Sequence, residues 1–151
     1  MVDTVSPEKR SQMMSGIRSK NTRPEIFIRK ALHRKGFRFR LHCSNLAGRP
    51  DLVFPKYNAV IFTHGCFWHC HNCRLFKWPS SRVDFWKEKI NRNRQKDKES
   101  LNKLLDENWR VMIIWECALK GVGRISPDKV IAKAVQFLTG RRKFIETKGC
   151  K

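Results

Sequence analysis

The segment from His64 to Cys73 carries six side chains that can bind a borderline-soft metal: His64, Cys66, His69, Cys70, His71 and Cys73. Any fold open to this chain must close around that segment. Thiolate and imidazole are the ligands zinc prefers, and a structural zinc site takes four of them. One ligand can come from far along the chain, and Cys117 is placed for this because it directly follows an apolar run ending near Glu116. Spacing alone leaves the set open. Cys66, Cys70, Cys73 and Cys117 serve as well as Cys66, His71, Cys73 and Cys117. Buried free thiols are common, but chance rarely concentrates ligands in this way. A nucleobase deaminase would show His-x-Glu followed by Pro-Cys-x-x-Cys, and the chain has neither.

The charge points to the partner. Lys and Arg total 33 against 13 Asp and Glu, a formal net charge of +20. Solubility needs far less, so a polyanion is the natural partner, nucleic acid first and an anionic membrane second. No stretch reads as a transmembrane span or a signal peptide, and the expectation is an intracellular protein. Its six cysteines would then stay reduced, which favours metal binding over disulfides.

The 151 residues suit one domain, and a hydrophobic fraction of 40% allows a core. Ser6-Pro7-Glu8 reads as a helix start, with Met13, Met14 and Ile17 as its apolar side. Thr22-Arg23-Pro24-Glu25 fits a capping box, followed by Phe27, Ile28, Ala31 and Leu32 at helical spacing, with Gly36 as the stop. Phe37, Phe39 and Leu41 alternate with polar residues, as in a strand with one wet face. Leu52–Phe54 and Ala59–Phe62 flank a turn at Pro55–Asn58 and predict a hairpin. Ser81 and Asp84 suggest a second capping box, and the helix they open runs towards Asn108 with a break in the polar stretch Asn91–Ser100. Trp109–Trp115 reads as a buried strand. Ser126-Pro127-Asp128 opens a last helix that Gly140 closes, and the basic tail from Arg141 reads as loose. The order α-α-β-β-β-α-β-α predicts an α/β fold, a mixed sheet flanked by helices. The expected division is an N-terminal arm over 1–20, a domain over 21–140 and a tail over 141–151.

Three acids stand out. Asp51 lies in Gly48-Arg49-Pro50-Asp51 at the start of an apolar strand, where a carboxylate can be aimed into a cleft and can hold magnesium. A turn aspartate making a local hydrogen bond fits the same position. The capping box accounts for Glu25, and a solvated helix face accounts for Asp97.

Gly48-Arg49-Pro50-Asp51, Val60-Ile61-Phe62-Thr63-His64-Gly65-Cys66-Phe67-Trp68-His69, Phe85-Trp86 and Trp115-Glu116-Cys117-Ala118-Leu119 together resemble the bacterial very short patch repair endonucleases. The likeness runs from about Ser11 to Leu119. It implies a restriction-endonuclease-like fold, although the usual second acid and lysine of that fold are replaced here by Thr63 and His64. It implies Mg2+-dependent nicking of double-stranded DNA beside the thymine of a T:G mismatch, the product of 5-methylcytosine deamination. In that reading Asp51 and the Thr63 carbonyl bind Mg2+, His69 is the general base and His64 steadies the phosphate charge. Cys66, His71, Cys73 and Cys117 then bind a structural Zn2+, with Cys70 a competitor. Phe67, Trp68 and Trp86 form a wedge that enters the base stack, and Glu25 and Asp97 stand near the active site. The resemblance further implies a monomer in the bacterial cytoplasm and nucleoid, acting alongside a repair polymerase and mismatch-repair proteins. The competing readings are a non-catalytic zinc module that binds DNA and a restriction or junction-resolving nuclease of the same fold.

Overall fold

A computed structural model describes residues 22–69, 71, 73 and 76–149. The helix expected at Ser6, the arm over 1–20 and Cys70 lie outside the described residues. Within them the chain runs α1 (Arg23–Arg34), β1 (Arg40–Leu41), β2 (Leu52–Phe54), β3 (Ala59–His64), α2 (Val83–Asp106), β4 (Arg110–Trp115), α3 (Pro127–Thr139) and β5 (Phe144–Thr147). The five strands form one sheet in sequence order. β1, β2 and β3 pair antiparallel, whereas β3, β4 and β5 pair parallel. The sheet is therefore mixed, as expected.

Strand alternation splits the apolar residues between two faces. Leu52, Phe54, Ala59, Ile61, Met112 and Ile114 pack against Ile28 and Leu32 of α1 and against Val130, Ala134 and Phe137 of α3. Val53, Val60, Phe62, Val111 and Ile113 meet Leu104 of α2 on the other face. Two helices thus cover one side and a single long helix the other. Burying both faces explains why β3 and β4 read as unbroken apolar runs. Each fully buried Leu, Ile or Phe contributes about 1.5–3 kcal/mol. Arg110 ties the layers together: Nη1 donates to Phe137 O at 2.7 Å, and Nη2 donates to Leu138 O and Tyr57 O at 3.0 Å. The last carbonyls of α3 and the β2–β3 turn are satisfied by one guanidinium.

Several local expectations are corrected. Neither capping box forms. Thr22 makes no side-chain cap bond, and Glu25, rather than reaching back to the cap, turns inward to His42. The cap of α2 is Arg82 at φ +53 rather than Ser81. The strand expected over Phe37–Leu41 pairs only at Arg40–Leu41. Phe37 and Phe39 leave the ladder to pack on Phe54, at ring distances of 6.5 and 5.5 Å. α2 runs unbroken for 24 residues through the polar stretch. The tail expected to be loose from Arg141 instead supplies β5, whose Phe144–Thr147 extend the sheet beside Val111–Ile114. A strand of four residues behind three basic ones is too short to register as a periodic signal.

Candidate active site and metal centre

Strand register gathers the chemistry at one end of the sheet. Leu52 pairs with Ile61 across the antiparallel β2–β3 hairpin, so Asp51, just before β2, falls beside Thr63 near the end of β3. In the parallel β3–β4 pair, His64 lies opposite Trp115. Two residues further along each chain stand Cys66 and Cys117, which therefore meet. This is the carboxyl end of both parallel strands, the usual place for a site on such a sheet.

A cavity of about 460 Å3 opens there, and Asp51, Thr63, His64, His69, Asp97 and Ser100 are among its lining residues. Asp51 Oδ2 accepts the Thr63 backbone N–H at 2.7 Å and the Thr63 hydroxyl at 3.1 Å. Its Oδ1 accepts neither bond. Burial, and then the nearby Glu25 carboxylate, push the Asp51 carboxyl up to about 6 against the hydrogen bonds from Thr63. Glu25 is 1% exposed and bonds to His42 Nε2, with Arg29 Nη1 at 3.6 Å. On the opposite wall His69 Nδ1 lies 2.5 Å from Asp97 Oδ2. The His69 ring stacks on His64 at a centroid distance of 3.8 Å and an angle of 5°. His64 is buried, which holds its pKa well below the usual imidazole value, and His69 and His71 add to the effect. Its Nδ1 finds no hydrogen-bond partner among the described residues. A neutral imidazole of this kind is a hydrogen-bond donor through one nitrogen, rather than a cation.

The backbone turn before Asp51 is tightly constrained. Gly48 has φ +74, and a Cβ there would approach Ser100 Cβ to 2.9 Å and a Phe62 ring carbon to 3.2 Å. Only glycine lets this loop sit against α2 and the sheet together.

Cys66, His71, Cys73 and Cys117 present ligand atoms within 4.8 Å of one another. His71 Nδ1 lies 3.5 Å from both Cys66 Sγ and Cys117 Sγ. Tetrahedral zinc with ordinary bond lengths separates sulfur and nitrogen by about 3.5 Å, so these residues fit zinc in type and spacing. The His71 ring stacks on Trp115 at 4.1 Å and 8°, and Cys66 N–H donates to Glu116 Oε1 at 3.2 Å. Burial pushes the Cys66 and Cys117 thiols up, so a cation must displace their protons to bind. The C-terminal segment closes the cluster: Gly149 N–H donates to Cys117 Sγ at 3.3 Å. A Cβ on Gly149 would come within 2.2 Å of Cys117 O.

Between the two centres the loop carries Phe67 and Trp68, both half-buried. Trp86 is 8% exposed and packs beneath them, 5.5 Å from Phe67 and 5.9 Å from Trp68. Asn93 Nδ2 donates to Trp68 O at 3.2 Å. Lys89 Nζ lies 5.5 Å from the Trp68 ring.

Among the described residues, the structure brings the site residues named from the sequence to one end of the sheet. Glu25 and Asp97 enter it by roles that neither a cap nor a solvated face describes. Sequence reasoning passed over His42, Asn93 and Ser100. The signal for two of them was available: Trp86, Ile90, Asn93, Asp97, Ser100 and Leu104 recur at spacings of three and four along α2. The polar members of that inward stripe are the ones that reach the cavity and its loop. Phe76 and Trp78 extend the aromatic group beyond Phe67, with Trp78 41% exposed.

The family model described as "DNA mismatch endonuclease Vsr" matches residues 2–75. A Type II nicking enzyme, V.XorIIP of Xanthomonas oryzae pv. oryzae, is 49% identical over 83% of this chain and 92% of its own length. The DNA mismatch endonuclease Vsr of Escherichia coli is 39% identical over 93% of this chain and 90% of its own. The nicking enzyme V.NmeAIP of Neisseria meningitidis is 42% identical over 80% and 86%. These relatives are of one class, the DNA endonucleases, and this chain is of that class. Within it, the chain belongs to the Vsr family. Among the described residues no helix is long and apolar enough to cross a membrane.

Proposed function

We propose that the chain nicks one strand of double-stranded DNA beside the thymine of a T:G mismatch, by divalent-metal-assisted phosphodiester hydrolysis. The observation that carries this reading is the pairing of His69 with Asp97 in the same cavity as Asp51, one residue after the aromatic pair Phe67-Trp68. A non-catalytic zinc module would have no use for that pocket. The mixed sheet with Asp51 and Thr63 at adjacent strand ends is consistent with a restriction-endonuclease-like core.

Asp51, whose half-buried carboxylate accepts the Thr63 N–H, and the Thr63 carbonyl would hold the catalytic Mg2+, since that ion takes hard oxygen donors. When bound, the ion stabilises the charge that builds on the phosphate oxygens. Asp97 fixes the His69 ring through Nδ1, which leaves Nε2 to accept the proton of the attacking water. His64, stacked behind and kept neutral, donates a hydrogen bond to a phosphate oxygen. Cys66, His71, Cys73 and Cys117 would hold Zn2+, which would stiffen the loop that carries the wedge. Phe67 and Trp68 enter the base stack, and Trp86 is the platform on which they rest. Unstacking a base step costs a few kcal/mol, and less at a mismatch. Recognition therefore comes largely through deformability.

We further assign residues 1–20 to a DNA-contacting arm and the remainder to the nuclease unit, with β5 built into its sheet. The protein acts as a monomer in the bacterial cytoplasm, handing its nick to a repair polymerase and mismatch-repair proteins. Incubation with Mg2+ and a panel of duplexes, each holding one T:G pair in a different context, tests the reading. Single-strand scission at the mismatch supports it. Cutting of matched or branched DNA at the same rate points to another nuclease chemistry.

A further inference from the structure

We infer that His42 is a metal ligand, forming with Glu25 and Asp51 a mixed nitrogen and oxygen site that prefers a first-row transition metal such as Mn2+ over Mg2+. The inference deepens the nuclease reading and rests on it, because Asp51 belongs to both.

The fold brings the three residues together from separate elements. His42 follows β1, and its N–H donates to Asp51 O at 3.2 Å, one step beyond the Leu41–Leu52 pair. His42 and Asp51 are thus cross-strand neighbours, which share a face of the ladder. Glu25 reaches the same point from the first turn of α1. One ring nitrogen and two carboxylate oxygens lie within 4.8 Å of one another. His42 and Asp51 line the cavity wall. Octahedral ligands of one cation with bonds of about 2.1 Å stand about 3–4 Å apart, so small side-chain rotations suffice.

Two further observations favour a cation here. Glu25 is 1% exposed, and its carboxylate lies within 4.8 Å of the ligand oxygen of half-buried Asp51. Two carboxylates held this close repel, and a cation bound between them would add to the positive charge that Arg29 already brings to Glu25 at 3.6 Å. His42 adopts φ +46, a backbone region that non-glycine residues use sparingly and that clusters at functional sites. The donor types then decide the metal. Mg2+ demands oxygen, whereas imidazole raises affinity along the first-row series.

The test uses the full-length, zinc-loaded protein with Mn2+ as the probe. Pulsed EPR of bound Mn2+ should show coupling to a directly bonded 14N. That coupling should vanish in His42→Gln and persist in His69→Gln. Competition titration should show Mn2+ bound tighter than Mg2+, with the preference reduced about tenfold or more in His42→Gln. Zinc content and cooperative unfolding confirm that each variant is folded, and His42→Asn replaces His42→Gln if the latter is not. Absence of nitrogen coupling, or its persistence in the His42 variants, overturns the assignment. So does an equal loss of Mn2+ and Mg2+ affinity, which would make His42 a residue that positions Glu25. Nicking of a T:G duplex in Mg2+ is measured alongside. Nicking without nitrogen coupling overturns this inference alone, and His42-dependent coupling without nicking of any duplex overturns the nuclease reading instead.

Discussion

His69 Nδ1 sits 2.5 Å from Asp97 Oδ2, joining the loop after β3 to the middle of α2. One contact fixes both the tautomer and the tilt of the imidazole, leaving Nε2 for the cavity. His69→Ala should lower single-turnover nicking about 10²–10⁴-fold, the usual worth of a positioned general base. Asp97→Asn should lower it less and alter the pH–rate profile, with DNA affinity unchanged. A His69→Ala enzyme slowed only a few-fold would move the base elsewhere.

Zinc binding at the Cys66, His71, Cys73 and Cys117 cluster, as proposed, should depend on the C-terminal segment. Cys117→Ala should abolish stoichiometric zinc. Gly149→Ala should weaken its retention against a chelator, because the new methyl group meets Cys117 O. Elemental analysis and chelator release rates measure both. Full zinc retention in Cys117→Ala would show that another ligand set, with Cys70 in it, holds the ion.

Divalent-cation binding should fall in mild acid. The Asp51 carboxyl is raised from 3.8 to about 6, chiefly by burial. A cation must compete with the proton it keeps, so affinity should drop by about tenfold per pH unit below that point and level off above it. In the metal-free protein the sign for stability is opposite to that of an ordinary ion-paired acid. Stabilisation from Asp51 is present below about 4 and lost as pH rises through about 6. Calorimetric titration with Mg2+ from pH 5 to 8 measures the first effect. Affinity flat across that range would contradict the placement of Asp51 at the cation.

Trp68 and Trp86 should separate function from packing. Trp68→Ala should cost about 1–3 kcal/mol of discrimination between mismatched and matched duplex, the worth of one aromatic stacked on a base, with folding intact. Trp86→Ala should destabilise the fold by about 3–5 kcal/mol, as for a large residue removed from a packed site. Denaturant unfolding and competition binding distinguish the two. Equal losses on both duplexes in Trp68→Ala would make Trp68 a packing residue.

The sheet was legible because β3 and β4 are buried on both faces and so read as plain apolar runs. The metal-ligand loop was legible because its residue types are rare and crowded. β5 was hidden because four residues with a single buried side chain carry no period. The polar stretch of α2 misled for an instructive reason. Asn93, Asp97 and Ser100 break the apolar stripe where α2 crosses the candidate-site cavity and its loop, so what reads as a weak stretch of helix is the part that faces the cavity. Glu25 misled because a capping box is a local pattern, whereas its partner His42 lies 17 residues away on another element.

Single-turnover nicking of two duplexes that differ only in one base, T:G against T:A, tests the account most directly when wild type and Asp51→Ala are compared in Mg2+. The account predicts one nick, in the thymine strand of the T:G duplex alone, lost in Asp51→Ala while DNA affinity stays nearly unchanged, since the basic surface supplies most of it. Equal cutting of both duplexes, or undiminished cutting by Asp51→Ala, would contradict it.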